Sequence, residues 1–158
     1  MGPDIIIYTD GAARGNPGPG GYGVVMKYGN HRKELSGGFR LTTNNRMELL
    51  GVIVALEQLK HQGSPATIYS DSKYVCEAIN QRWLFDWEKK GFKKKKNPDL
   101  WKRLLPLYRR HNLKFTWIKG HNNIPENERC DQLAVEASMK ENLPVDTGYE
   151  QQDNTLFI

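Results

Sequence analysis

The chain has 158 residues, 38% of them hydrophobic and 26% charged, with a net charge of +5 and a pI near 9.2, which suits one globular domain with a sizeable core and a polyanionic partner. No apolar run approaches the roughly 18 residues of a membrane span, and two cysteines, Cys76 and Cys130, allow at most one bridge. With no charged leader before an apolar stretch, a membrane protein and a disulfide-framed secreted module are set aside, and a reduced, cytoplasmic, monomeric protein is expected.

Ile5-Ile6-Ile7-Tyr8-Thr9-Asp10 is a β-rich run without amphipathic period, so it predicts a strand buried on both faces that ends in a carboxylate. Residues 11–21 are loop chemistry. Gly18, Gly20 and Gly23 match the spacing G-x-G-x-x-G, but a dinucleotide fingerprint needs its third glycine to open a helix, and residues 21–28 read as a second strand. Gly29-Asn30 is a turn and residues 31–39 a third strand at an edge, completing an antiparallel meander. Arg46 to about His61 is an apolar helix that needs burial against the sheet, stopped by Gly63-Ser64-Pro65. A short strand (67–70), a helix (72–81), a helix capped by Asp99 and interrupted by Pro106 (99–110), a strand (113–118) and a helix (127–139) follow. The expected fold class is α/β: a five-stranded mixed sheet, three antiparallel strands then two parallel ones, with helices on both faces. From Asn142 the composition turns polar and acidic, so residues 1–141 form the expected domain and 142–158 a loosely ordered or surface-laid tail, whose apolar end Leu156-Phe157-Ile158 could dock on a partner.

Four acids stand out, and each has a bland explanation. Asp10-Gly11 is a turn dipeptide, Asn45-x-x-Glu48 fits a capping box, Asp71 precedes a helix as an N-cap would, and Asp131 sits where the last helix begins and complements its dipole. Jointly the bland readings weaken, because the topology sends all four toward one end of the sheet. Like charges so close coexist ionised only around a cation. All-oxygen ligation suits Mg²⁺ or Mn²⁺ and not zinc. Two such ions about 3.5–4 Å apart activate water and stabilise a leaving oxygen, the chemistry of phosphodiester hydrolysis.

Tyr8-Thr9-Asp10-Gly11-Ala12, Gly15-Asn16-Pro17-Gly18, Thr43-Asn44-Asn45-Arg46-Met47-Glu48-Leu49, Ser70-Asp71-Ser72-Lys73-Tyr74-Val75 and Ile118-Lys119-Gly120-His121, continued by Asn127-Glu128-Arg129-Cys130-Asp131, together resemble bacterial ribonuclease HI in collinear order over nearly the whole chain. The resemblance implies the ribonuclease H fold and hydrolysis of the RNA strand of an RNA/DNA hybrid, leaving 5′-phosphate and 3′-hydroxyl ends. It implies that Asp10 bridges two Mg²⁺ ions, that Glu48 and Asp71 hold one and Asp131 the other, and that His121 assists proton transfer or product release. It also implies substrate contacts for Asn16, Thr43, Asn44 and Asn45, whose positions suit sensing of a 2′-hydroxyl, and for Lys73. Lys73 stands where the family often has Gln, and Asn122-Asn123-Ile124 departs from its usual loop.

Residues 82–119 carry thirteen Lys and Arg against Asp86, Glu88 and Asp99, which leaves the remainder of the chain net negative. Within the protrusion at 82–98, Trp83, Trp87 and Phe92 alternate with Lys89, Lys90, Lys93 and Lys94, as in the family's basic handle, and are expected to grip the DNA strand. Rival readings are a non-catalytic hybrid-binding module, a DNA nuclease on the same fold, and an interaction protein using only its basic pole.

Overall fold

A computed structural model describes residues 4–155. In chain order it contains β1 (Ile5–Ala13), β2 (Gly18–Tyr28), β3 (His31–Thr42), α1 (Asn44–Glu57), β4 (Pro65–Ser70), α2 (Lys73–Asn80), α3 (Trp83–Lys89), α4 (Pro98–Arg110), β5 (Asn112–Trp117), α5 (Pro125–Ser138) and α6 (Thr147–Thr155). The strands form one sheet in the order β3-β2-β1-β4-β5, in which β1, β2 and β3 pair antiparallel while β4 runs parallel to both β1 and β5. This is the expected mixed sheet, with β1 central because its isoleucines have neighbours on both sides.

Each face of the sheet receives its helix for a different reason. The α1 helix is apolar around most of its circumference, and ten of its residues from Arg46 to Leu56 are buried. It packs over Ile7 and Val24, whose side chains are fully enclosed. On the opposite side α5 comes close to β2, because β2 presents Gly21 and Gly23 there. A Cβ at Gly23 would collide with the Cys130 carbonyl, and one at Gly21 with that of Ala134. Gly23, the third glycine of the apparent nucleotide fingerprint, is therefore with Gly21 a bed for a helix, and the bed fixes Cys130 and its neighbour Asp131 over the sheet.

Several boundaries differ from the sequence reading, each for a local reason. Arg82 adopts a left-handed conformation and starts α3, an element hidden in the sequence by the charge run around it. The α4 helix begins at Pro98, not Asp99, since proline suits a first helical turn and Asp99 is taken by Arg46. Pro106 does not interrupt α4: it lies on the exposed face, where water can serve the unpaired carbonyl, while Leu100, Trp101, Leu104 and Leu105 hold the other face to the core.

A further feature lies beyond Asn142. The segment expected there as a loosely ordered or surface-laid tail is, over its described residues, fastened to the domain by charge. Arg46 is 1% exposed, and its guanidinium donates to Asp146 at 2.8 and 3.0 Å and to Asp99 at 2.7 and 2.9 Å. Thr42 donates its hydroxyl to Asp146 at 2.7 Å, and the Arg40 amide donates to the Pro144 carbonyl. An arginine buried inside α1 needs two carboxylates, and the second comes from the tail; an acidic composition concealed that purpose. The docking expected of Leu156-Phe157-Ile158 lies outside the described residues.

Asp146→Ala is expected to cost about 3 kcal/mol in urea unfolding, because it strips a partner from an enclosed guanidinium. Glu150→Ala, which removes only the exposed Arg40 pair, should cost much less; equal losses would contradict the distinction.

Candidate active site

The acids converge because three elements end or begin at one place. Asp10 lies inside β1, Glu48 one turn into α1, and Asp71 directly after β4, beside Thr9 and Ser70, which pair in register. Ligand oxygens of Asp10, Glu48 and Asp71 lie within 4.8 Å of one another. Asp131 and the exposed His121 line the same open cleft. Asp131 therefore shares the site but stands outside the tight group of three.

The bland alternatives for these acids do not describe the structure. Asp10 is strand and not turn, paired with Gly23 across β2. Thr43 caps α1 by accepting from the Arg46 amide, which leaves Glu48 without a capping duty. Ser72 likewise caps α2 by accepting from the Val75 amide, so Asp71 is not the cap. Since α5 starts at Pro125, Asp131 lies in its second turn, away from the N-terminal dipole.

Close approach is built into the backbone. A Cβ on Gly11 would run into the Glu48 amide and the Met47 backbone, so α1 rests directly on β1 next to Asp10. Gly11 also donates its amide to Asp10 Oδ1 at 2.8 Å. The result is electrostatically costly. Burial first, and the Asp71 charge second, push Asp10 up to about 7. Burial and the charges of Asp10 and Asp71 push Glu48 well above the usual carboxylate range. Asp71 is raised by burial and by Asp131, against the lowering effect of His121.

Glu48 Oε2 is enclosed and has no hydrogen-bond partner. A buried orphan acceptor beside two further carboxylates is the donor set of a hard divalent cation, and the residues fit one. Cys76 and Cys130 are free and buried, and burial pushes both thiols up, to about 11 for Cys76.

Around the acids, the expected contact residues divide into two kinds. Asn16 Oδ1 accepts from the Asn44 amide at 3.0 Å, and Asn44 Oδ1 accepts from the Ala13 amide at 2.6 Å. These two asparagines tie the β1–β2 loop to the start of α1, beside exposed Asn45. In the protrusion, Lys89, Lys90, Lys93 and Lys94 are exposed and Trp83 is 45% exposed. Trp87 is half-buried edge-on to Trp101, with Lys95 over its ring. Phe92, expected to touch nucleic acid, is a correction: it is buried in the core. The chain turns through left-handed residues at Gly91, Phe92, Lys94 and Asn97, which folds the loop around the Phe92 ring and turns its lysines outward.

Sequence reasoning missed Trp117. Its indole Nε1 donates to the Asp71 carbonyl at 3.0 Å, and Lys73 lies over its ring. The signal was an aromatic residue ending a strand that runs beside the one preceding Asp71.

Comparison with known proteins agrees with this geometry. The RNase H family model matches residues 2–139. The ribonuclease H of Syntrophus aciditrophicus is 58% identical over 150 residues, covering 92% of this chain and 86% of its own; that of Desulforamulus reducens is 59% identical over 148 residues, covering 90% and 92%. Among solved structures, LC9-RNase H1, a type 1 RNase H with the type 2 active-site motif, superposes with a TM-score of 0.77 at 30% identity over 96% of this chain and 81% of its own. LC11-RNase H1 in complex with RNA/DNA hybrid gives 0.61 at 30% identity over 85% and 96%.

Two outcomes test the site. Gly11→Ala should push α1 off β1 and lower the catalytic rate, on the order of 10²-fold for a displacement near 1 Å; an unchanged rate would contradict the close packing. Without divalent ions, the raised Asp10 contributes stability that is complete below its ordinary value near 3.8 and is lost as pH rises through about 7. Cation binding needs the ionised acids, so the rise in melting temperature on adding Mg²⁺ should be small at pH 5 and full above pH 8. A gain independent of pH would contradict it.

Proposed function

The chain belongs to the ribonuclease H family, and we propose that it is an endonuclease that hydrolyses the RNA strand of RNA/DNA hybrids by two-metal-ion catalysis, leaving 5′-phosphate and 3′-hydroxyl ends. The observation that carries the reading is the cluster of Asp10, Glu48 and Asp71 within 4.8 Å, with Asp131 on the same cleft. That arrangement has no use as scaffold and gains one in a hydrolase of this family. Asp10, Glu48 and Asp71 would hold one ion, and Asp10 with Asp131 the other. Mg²⁺ or Mn²⁺ held by these acids would supply a Lewis acid for water and for the leaving oxygen of phosphodiester hydrolysis.

The chain's own residues do the rest. The rigid pairing of β1 with β4 and the seat of α1 on Gly11 keep the acids in place while they exchange protons for cations. His121, exposed at the rim with a left-handed backbone, is placed to move a proton between the cleft and solvent. Asn44 and Asn45 at the start of α1, with Asn16 bonded to the Asn44 amide, present amide groups to the shallow groove, where a 2′-hydroxyl distinguishes RNA from DNA. The exposed lysines of the protrusion neutralise phosphates of the DNA strand, with Trp83 as the accessible aromatic among them. One of the solved neighbours is itself bound to an RNA/DNA hybrid, which supports the same substrate here. The two free buried thiols fit a reducing cytoplasm, and a monomer completes the reading.

The test is cleavage of a labelled hybrid with and without Mg²⁺. The protein should cut only the RNA strand, and Asp10→Asn should keep hybrid affinity within about threefold while lowering the rate by at least about 10³-fold, the scale of losing an essential charge-stabilising group. Cleavage confined to DNA substrates, or none by the unaltered protein, would overturn the reading.

A further inference from the structure

We propose that Trp117 is a positioning residue that holds Lys73 as a phosphate contact on the cleft wall, adding one ionic contact to hybrid binding. The inference rests on the reading that the cleft takes a hybrid, and it concerns two residues that offer no ligand atom to the cation site.

Trp117 ends β5 in register with Ser70, the residue before Asp71. The Ile118 amide donates to the Ser70 carbonyl at 2.9 Å and the Trp117 indole Nε1 donates to the Asp71 carbonyl at 3.0 Å. Trp117 is thus fixed through its strand and through its indole nitrogen, yet the residue is 43% exposed. A large aromatic fixed by strand and hydrogen bond, and left open beside a catalytic cleft, is a platform more than a piece of core.

Lys73 stands on that platform. Its Nζ lies 5.0 Å from the ring centroid, within cation–π range. It is the first residue of α2 and lines the cleft with Asp10, Asp71 and His121. A cation at a helix N-terminus opposes the helix dipole, so local structure gives no reason for a lysine there. Among the described residues it has no carboxylate within ion-pair distance. A charge that serves neither its helix nor an ion pair, and is kept from wandering by a ring, is prepared for an anion that arrives with the substrate. In a nucleic-acid cleft that anion is a backbone phosphate. A free lysine would reach the same phosphate with the entropy of four rotatable bonds to lose; the ring removes part of that loss in advance.

Hybrid affinity measured against salt, in EDTA so that no cleavage occurs, tests this. Each lost phosphate contact lowers the slope of log K against log salt by about 0.9, so between 50 and 200 mM the advantage of the unaltered protein over the variant should shrink about 3.5-fold. Lys73→Gln and Trp117→Leu should each lose one such increment, and the double variant should lose no more than either. Trp117→Phe, which keeps a ring under the ammonium but not the hydrogen bond to Asp71, should retain the slope. Lys73→Gln sits at an exposed position and reports on the contact however the Trp117 variants fold. A wild-type slope in Lys73→Gln or Trp117→Leu, additive losses in the double variant, or a Lys73→Gln effect on Mg²⁺ affinity in place of the slope would overturn the proposal while leaving the hybrid reading intact. Failure of the unaltered protein to bind hybrid at all would overturn both.

Discussion

Mutual repulsion among Asp10, Glu48 and Asp71 is the constraint around which the fold is arranged. Three carboxylates with oxygens inside 4.8 Å, two of them nearly enclosed, are costly in a medium that screens charge poorly. No single element could hold them there. The central strand, seated between β2 and β4, supplies one; a helix pressed onto Gly11 supplies the second; the end of β4 supplies the third. Packing across the whole domain stabilises a local arrangement that its charges oppose, and a divalent cation resolves the conflict. Strain of this kind is what functional sites commonly retain.

The same logic explains the supports behind the acids. Arg46 lies two residues before Glu48 and draws together α1, Asp99 of α4 and Asp146 beyond α5. It fixes the start of α1 from behind, while Asn16 and Asn44 fix it from the front. The cleft-lining asparagines and Glu48 are therefore tied to the same framework as the sheet. A loop-borne site would need to order itself at each turnover; this one is ordered by the core.

Much of this was legible in the sequence, and the parts that were not have physical causes. The isoleucine run of β1, the apolar α1 and the strand–carboxylate pattern at Asp10 and Asp71 carry their own signal, so the mixed sheet and the meeting of acids could be read from them. The α3 helix escaped because its start at Arg82 is a left-handed residue with no side-chain cap. The fastening of residues 142–155 escaped because it depends on a partner about a hundred positions away: nothing near Asp146 marks it as the counter-charge of Arg46. Phe92 read as an exposed aromatic among lysines, yet its backbone turns the ring inward. Composition reports what a segment contains and not which way it faces. Trp117 shows the converse, an apolar strand end that stays open at the cleft.

Anomalous diffraction from crystals of the protein grown with Mn²⁺ measures the central claim most directly. The account predicts an anomalous peak in contact with carboxylate oxygens of Asp10, Glu48 and Asp71, lost in Asp10→Asn crystals. Ordered manganese elsewhere on the molecule with none at these three acids would contradict it.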